Sequence, residues 1–233
     1  MIKYLLAAFL LFPSIAQAQD DANAPIVVEL FTSQSCSSCP PADRILGEIS
    51  QDNDNIIALS CNVTYWNHLH WEDTLSQDSC TKRQRNYTLS LNSRGPYTPQ
   101  IVINGRYEMV GSREGSVKKA IKNAKTPLKK INLRKDSKNL YIALPAMVKE
   151  QYIVTLMAYG DEHTQSIPSG ENSGRTVKYT NPVTKIMPLN TWDGTKGTME
   201  LANIEIEGDK NIVVVIHQQS PTGPIVAAGK LSL

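Results

Sequence analysis

Long apolar runs are scarce in this 233-residue chain. Past residue 12 no stretch approaches the ~20 apolar residues that a membrane-crossing helix needs. Charge of one sign is lacking too. Against 22 Asp and Glu stand 24 Lys and Arg, a formal charge of +2, and no basic block marks a nucleic-acid or membrane-surface patch. The lysines near the middle (Lys118, Lys119, Lys122, Lys125, Lys129, Lys130) are spread over an expected helix and linker and read as a solvated face. There is no Gly-rich phosphate loop, no His-Glu-x-x-His and no Gly-x-Ser-x-Gly, so nucleotide-loop, zincin and esterase chemistry have no motif to stand on. No cofactor is expected. Cysteine is sparse as well: four residues, Cys36, Cys39, Cys61 and Cys80.

The first eighteen residues point to a compartment. Lys3 precedes an apolar stretch from Tyr4 to Phe12, and Ala16-Gln17-Ala18 is a small-x-small cleavage signal. Residues 1–18 are expected to be a secretory signal peptide, leaving a secreted or periplasmic chain of about 215 residues with no stable membrane span after cleavage. An oxidising compartment favours disulfides. Four cysteines allow three pairings. The two-residue spacing favours Cys36–Cys39, which leaves Cys61–Cys80 as a structural disulfide. On the chain-entropy model that loop of about 20 residues stabilises the fold by roughly 3 kcal/mol.

Two rhythms divide the rest. Strands are expected at Ile26–Phe31, Ile56–Leu59, Pro99–Ile103 and Arg106–Val110, with Asn104-Gly105 as a hairpin turn. Helices are expected over 41–50, 75–91 and 113–124, the last with Ser112 as N-cap. After Lys125-Thr126-Pro127, a linker by composition, short β-like runs recur: Lys130–Arg134, Asn139–Leu144, Tyr152–Tyr159, Val177–Tyr179, Met199–Glu205, Ile212–His217 and Ile225–Leu231. Turn residues punctuate them, the pattern of a sandwich-like β region.

The order β-α-β-α-β-β-α of the first half is that of the thioredoxin core. The segments Val27–Asp43, Tyr65-Trp66, Trp71-Glu72-Asp73, Arg83-Gln84-Arg85, Tyr97-Thr98-Pro99-Gln100 and Ile103-Asn104-Gly105-Arg106 resemble the secreted bacterial thioredoxin-like family filed as domain of unknown function 1223. The resemblance implies an α/β thioredoxin-like N-terminal domain over 24–125, followed by a β-rich, sandwich-like domain over 128–233. It also implies a cis-proline at Pro99 facing the cysteines, and an exposed Cys36 with a more buried Cys39. Where the family pattern has a His and an Asp ahead of Tyr-Trp, this chain has Asn62 and Thr64.

The expected activity is thiol–disulfide exchange with thiols or disulfides of other exported proteins. Two thiols at this spacing at a helix start form a small reducible bridge, and the helix N-terminus stabilises a thiolate. Cys36 is assigned as nucleophile and Cys39 as the resolving thiol, with Pro99 and Thr98 helping to hold a partner's chain. Ser37 and Ser38 between the cysteines are uncharged. Tyr65, Trp66 and Trp71 are read as core packing or as an apolar docking rim. Arg83, Gln84 and Arg85 are read as solvated, and His163 and His217 as isolated. Two alternatives stay open: an inert Cys36–Cys39 bridge in a binding module, and a Cu(I) carrier in which His68 and His70 join the two thiolates.

Overall fold

A computed structural model describes residues 25–124, 128–204 and 211–233. The signal peptide expected at 1–18 and the linker Lys125-Thr126-Pro127 lie outside the described residues. In chain order the elements are β1 (Ile26–Thr32), α1 (Pro40–Asp52), β2 (Ile56–Asn62), α2 (Asp78–Ser90), β3 (Gln100–Ile103), β4 (Tyr107–Val110) and α3 (Glu114–Asn123). Then follow β5 (Lys129–Lys130), β6 (Asn132–Lys135), β7 (Leu140–Leu144), β8 (Tyr152–Tyr159), β9 (His163–Ser166), β10 (Thr176–Tyr179), β11 (Val183–Trp192), β12 (Gly197–Leu201), β13 (Asn211–Gln218) and β14 (Ile225–Ser232).

The strands form four sheets, ordered β2-β1-β3-β4, β10-β9, β11-β8-β13-β14-β5 and β12-β7-β6. β1 and β2 run parallel, Ile26 opposite Ile56, whereas β3 lies antiparallel to β1, with Gln100 opposite Phe31. Asn104 and Gly105 take φ of 50° and 60° at the β3–β4 turn, the left-handed pair that a tight hairpin requires.

The expected fold class is corrected here. With fourteen strands, three helices and 18% helix, the described chain is mostly β and spread over several sheets. It is not an α/β thioredoxin-like domain with a separate sandwich-like domain behind it. The reason lies in the strands that bury both faces. On one side of β1, Val28 and Leu30 pack with Ile45, Leu46 and Val117 of α1 and α3. On its other side, Val27 and Phe31 join a core with Tyr87 of α2 and with Met157, Val213, Val215 and Ala228 of the second half. β13 is likewise two-faced, since Ile212, Val214 and Ile216 meet Leu140 and Ile142 on the side away from that core. Continuous apolar runs such as Ile212–Ile216 belong to such doubly covered strands. Local composition shows a change of rhythm at residue 125, but not that both halves share one core.

Smaller differences have local causes. β9 and β11 were not expected. β11 carries Pro188 and one charge, Lys185, and it is tolerated because it is an edge strand whose pairing shifts register between Pro188 and Thr191. The N-cap of α3 is Arg113 rather than Ser112, and no side chain caps it.

Candidate functional site

The apolar strand β1 ends at Thr32, and residues 33–39 turn the chain into α1. Pro40 and Pro41 begin that helix, where a missing N–H does no harm. Cys39 is its N-cap, and the Cys39 carbonyl accepts the amides of Ala42 at 2.8 Å and Asp43 at 3.1 Å. Cys36 and Cys39 form a disulfide at this helix start, with Cα atoms 5.4 Å apart. The Cys36 sulfur lies 3.4 Å from the Ser38 hydroxyl. Cys36 is only 2% exposed and Cys39 is fully buried. The exposure of Cys36 that the resemblance implied is therefore not what the structure places there.

The backbone around Cys36 is held from the second half. The loop 167–175 between β9 and β10 lies across residues 34–37. Asn172 donates both side-chain N–H groups, to the carbonyls of Gln34 at 2.9 Å and Cys36 at 2.8 Å. Its own carbonyl oxygen accepts from Arg175 at 3.1 Å. Beside it the Glu171 carboxylate accepts the Ser37 amide at 3.2 Å. Nothing local in the sequence announces Asn172, which stands 136 residues from Cys36.

The aromatic loop after β2 reaches both neighbours of the pair. Trp66 donates its indole N–H to the Thr98 hydroxyl at 2.9 Å, and Trp71 donates to the Gln34 side chain at 2.8 Å. The Ser35 hydroxyl donates to the Trp71 carbonyl at 2.9 Å. Tyr65 sits beside Trp66, ring centroids 6.1 Å apart, both partly buried against the shared core. The Thr98–Pro99 peptide is cis, and Pro99 precedes β3 at the end of the sheet where β1 delivers the cysteine loop. Cys36, Cys39, Thr98, Pro99, Tyr65, Trp66 and Trp71 thus lie around one end of the first sheet. His68 and His70 are exposed on the same loop, and among the described residues no group of three or more His, Cys, Asp or Glu is placed to hold a metal. Cys61 and Cys80 form a second disulfide, joining β2 to α2 inside the shared core.

Two carboxyl groups near the pair carry no sequence expectation. Asp43, one turn into α1, is 2% exposed, and neither carboxyl oxygen has a hydrogen-bond partner. Burial pushes it well above the usual carboxylate range, the nearby Thr32 hydroxyl opposes the shift, and Asp73 adds to it. Asp73 is also raised by burial, although it accepts from the Gln34 amide at 2.8 Å and from Asn62 at 2.9 Å. Asn62 therefore serves to hold Asp73.

On the other face of the sheet Arg83 and His217 are found buried, not solvated and isolated as expected. Arg83 grips Glu29 through Nε and, at 2.9 Å, through Nη2. Nη2 also lies 3.0 Å from the Tyr87 hydroxyl and 3.1 Å from His217 Nε2. Tyr87 donates to Glu29 at 2.6 Å. His217 Nδ1 is 2.7 Å from the Gly223 carbonyl, which makes Nδ1 the protonated nitrogen and Nε2 the acceptor. Burial and the Arg83 charge push the imidazole down to about 3. Burial alone raises Glu29, but Arg83 wins and its carboxyl lies below the ordinary value. The signal was present in sequence: Glu29 interrupts Val27-Val28-Glu29-Leu30-Phe31, and a charge in a buried strand needs a partner.

The family model described as a protein of unknown function, DUF1223, matches residues 27–218, and the chain belongs to that family. The crystal structure of protein AGR_C_4864 from Agrobacterium tumefaciens is similar over 89% of this chain and 93% of its own, with 28% identity and a TM-score of 0.76. HBP35 of Porphyromonas gingivalis shares the fold at 15% identity and a TM-score of 0.60, over 90% of this chain and 75% of its own. No curated protein matches the chain. Among the described residues no helix is long and apolar enough to cross a membrane.

Proposed function

We propose that this member of the DUF1223 family is an exported thiol–disulfide oxidoreductase that exchanges disulfides with other exported proteins through Cys36 and Cys39. The observation that carries the reading is the Cys36–Cys39 bridge at the start of α1, where the helix N-terminus favours a thiolate. The other bridge, Cys61–Cys80, also reaches a helix start, at Cys80 in the first turn of α2, but it sits in the apolar core, where burial disfavours a thiolate. An exported location is supported by two disulfides and by the signal-like start of the sequence. Kinship with the wider thioredoxin-like superfamily belongs to the same reading. It is supported by a Cys-x-x-Cys helix start with Pro99 at the same end of the sheet, not by overall strand and helix content.

The exchange balances as follows. A partner's thiolate attacks Cys36 Sγ, a mixed disulfide forms, and Cys39 leaves as a thiolate that takes up a proton. The partner's second thiolate then attacks its own sulfur in the mixed bond and releases Cys36. Two electrons pass from the partner's dithiol to the pair, and the reverse sequence oxidises the pair at the expense of a partner disulfide. Thr98 and the Trp66 indole, both partly exposed, offer a surface for the partner's chain beside Pro99, which is buried. A Cys39→Ser variant removes the internal escape and is expected to accumulate mixed disulfides through Cys36 in an exported extract. An extract that yields none refutes the reading.

One observation favours a second reading, an inert bridge that stiffens the helix start: both cysteines are buried, at 2% and 0% exposure. That reading expects a reduction potential for Cys36–Cys39 below about −300 mV.

A further inference from the structure

A disulfide meant for exchange and a disulfide with almost no exposed surface are at odds, and the loop between β9 and β10 explains how one molecule holds both. We propose that residues 167–175 form a displaceable strap that shields Cys36 and must lift before a partner's thiolate can reach it. This inference rests on the oxidoreductase reading of the same site and supplies its regulation.

Four features distinguish the strap from ordinary packing. β9 and β10 make a two-stranded sheet of their own, with no ladder to the other three sheets. Their small cluster of Ile167, Val177 and Tyr179 touches Trp71 and Leu75 and is separate from the three larger cores. The strap meets the cysteine loop through the Asn172 amide and the Glu171 carboxylate. Within a loop that is otherwise mostly exposed, Asn172 is 1% exposed and all three of its side-chain bonds are made. Finally, Gly170 and Gly174 flank the gripping residues, each with φ of 80°, positions where other residues are strained. A Cβ at Gly170 meets the Leu69 carbonyl oxygen at 3.1 Å, so the strap is seated on the aromatic loop at that point. The Ser169 hydroxyl fixes the same seat by donating to the His70 carbonyl at 2.7 Å.

The closed strap thus holds the Gln34 and Cys36 carbonyls, the second on the attacked cysteine itself. Lifting it breaks the two Asn172 bonds and uncovers Cys36 while leaving the main sheets in place.

The test is the rate at which dithiothreitol reduces each bridge in the full chain, read by alkylation and mass at each cysteine pair. Asn172→Ala removes both donors, and Gly170→Ala unseats the strap independently should the first variant fold poorly. Each is expected to speed reduction of Cys36–Cys39 about tenfold, the factor that ~1.4 kcal/mol represents, with Cys61–Cys80 unchanged. A Cys36–Cys39 rate within twofold of the unaltered protein overturns the strap. Equal acceleration of both bridges overturns it too, because that is general loosening. Partner trapping by Cys39→Ser with strap variants that reduce no faster defeats the strap alone. Faster reduction in the strap variants with no trapped partner defeats the oxidoreductase reading and leaves the strap as the cover of a structural bond.

Discussion

Helices α1 and α2 have parallel construction and opposite chemistry. Each begins at or near a disulfide cysteine, Cys39 at the cap of α1 and Cys80 in the first turn of α2, and each buries one charged side chain a turn further on. In α2 that side chain is Arg83, and its charge is met by Glu29, Tyr87 and His217. In α1 it is Asp43, and neither carboxyl oxygen is met. The α2 bridge lies among Val63, Tyr87 and Leu128 in an apolar core, whereas the α1 bridge lies under a polar clasp. A closed network resists change because removing any member strands a buried partner. In α1 the buried carboxyl has no such partner, and the bridge beside it is held by a single side-chain clasp.

The largest test of this contrast is on the α2 side. Arg83→Met leaves Glu29 buried without its cation and is expected to lower stability by about 3–5 kcal/mol in urea unfolding. A loss under about 1 kcal/mol shows that the network is not closed. Next come the bridges themselves. Replacing Cys61 and Cys80 by Ala is expected to remove about 3 kcal/mol, and replacing Cys36 and Cys39 less than about 2, since the shorter loop constrains the unfolded chain less. The reverse ranking shows that the shorter bridge contributes more to the fold than loop length allows.

A smaller effect of opposite sign is expected at Asp43. Its folded carboxyl titrates above its unfolded value, so the folded state keeps a proton that the unfolded chain releases. Stability is therefore lost as pH rises from about 4 towards the folded value. Asp43→Asn should stabilise the protein by about 1 kcal/mol or more at pH 7, with the gain vanishing near pH 4. A variant no more stable than the original at neutral pH shows that Asp43 has a partner in solution.

The smallest effect at neutral pH belongs to His217. Folded, it titrates near 3 rather than 6.5. Below pH ~6.5 the unfolded chain takes up a proton that the folded state refuses, so stability falls as pH drops towards 3. Urea midpoints measured across that window should decline in the original protein and flatten in His217→Gln. Equal slopes remove His217 from the account of acid sensitivity.

Some of this was legible in the sequence and some was not, for reasons that differ by residue. β1, α1 and the hairpin at Asn104-Gly105 follow from local periodicity and turn chemistry, which a short window contains. The spacing of Cys36 and Cys39 likewise announces its own contact. Arg83 looked solvated because α2 is rich in polar residues, and only the unmatched Glu29 in β1 hinted that a buried cation was needed. Asn172 sits in a run of Pro, Ser, Gly and Glu that reads as an ordinary turn. Its role depends on where a distant hairpin lands, which no window around residue 172 contains. The separation into two domains failed for a related reason. A continuous apolar run tells that a strand has two covered faces, but not which part of the chain covers the second.

The order of the bridges along the chain bears on how the protein is made. Each joins cysteines that are neighbours in sequence, Cys36 with Cys39 and Cys61 with Cys80. A chain that appears from its N-terminus presents them in matched succession, each native partner being the next thiol to arrive. Correct pairing therefore needs no later reshuffling. Asn172, which holds the Cys36 carbonyl, lies 136 residues further on, so the first pair is complete long before that contact can form.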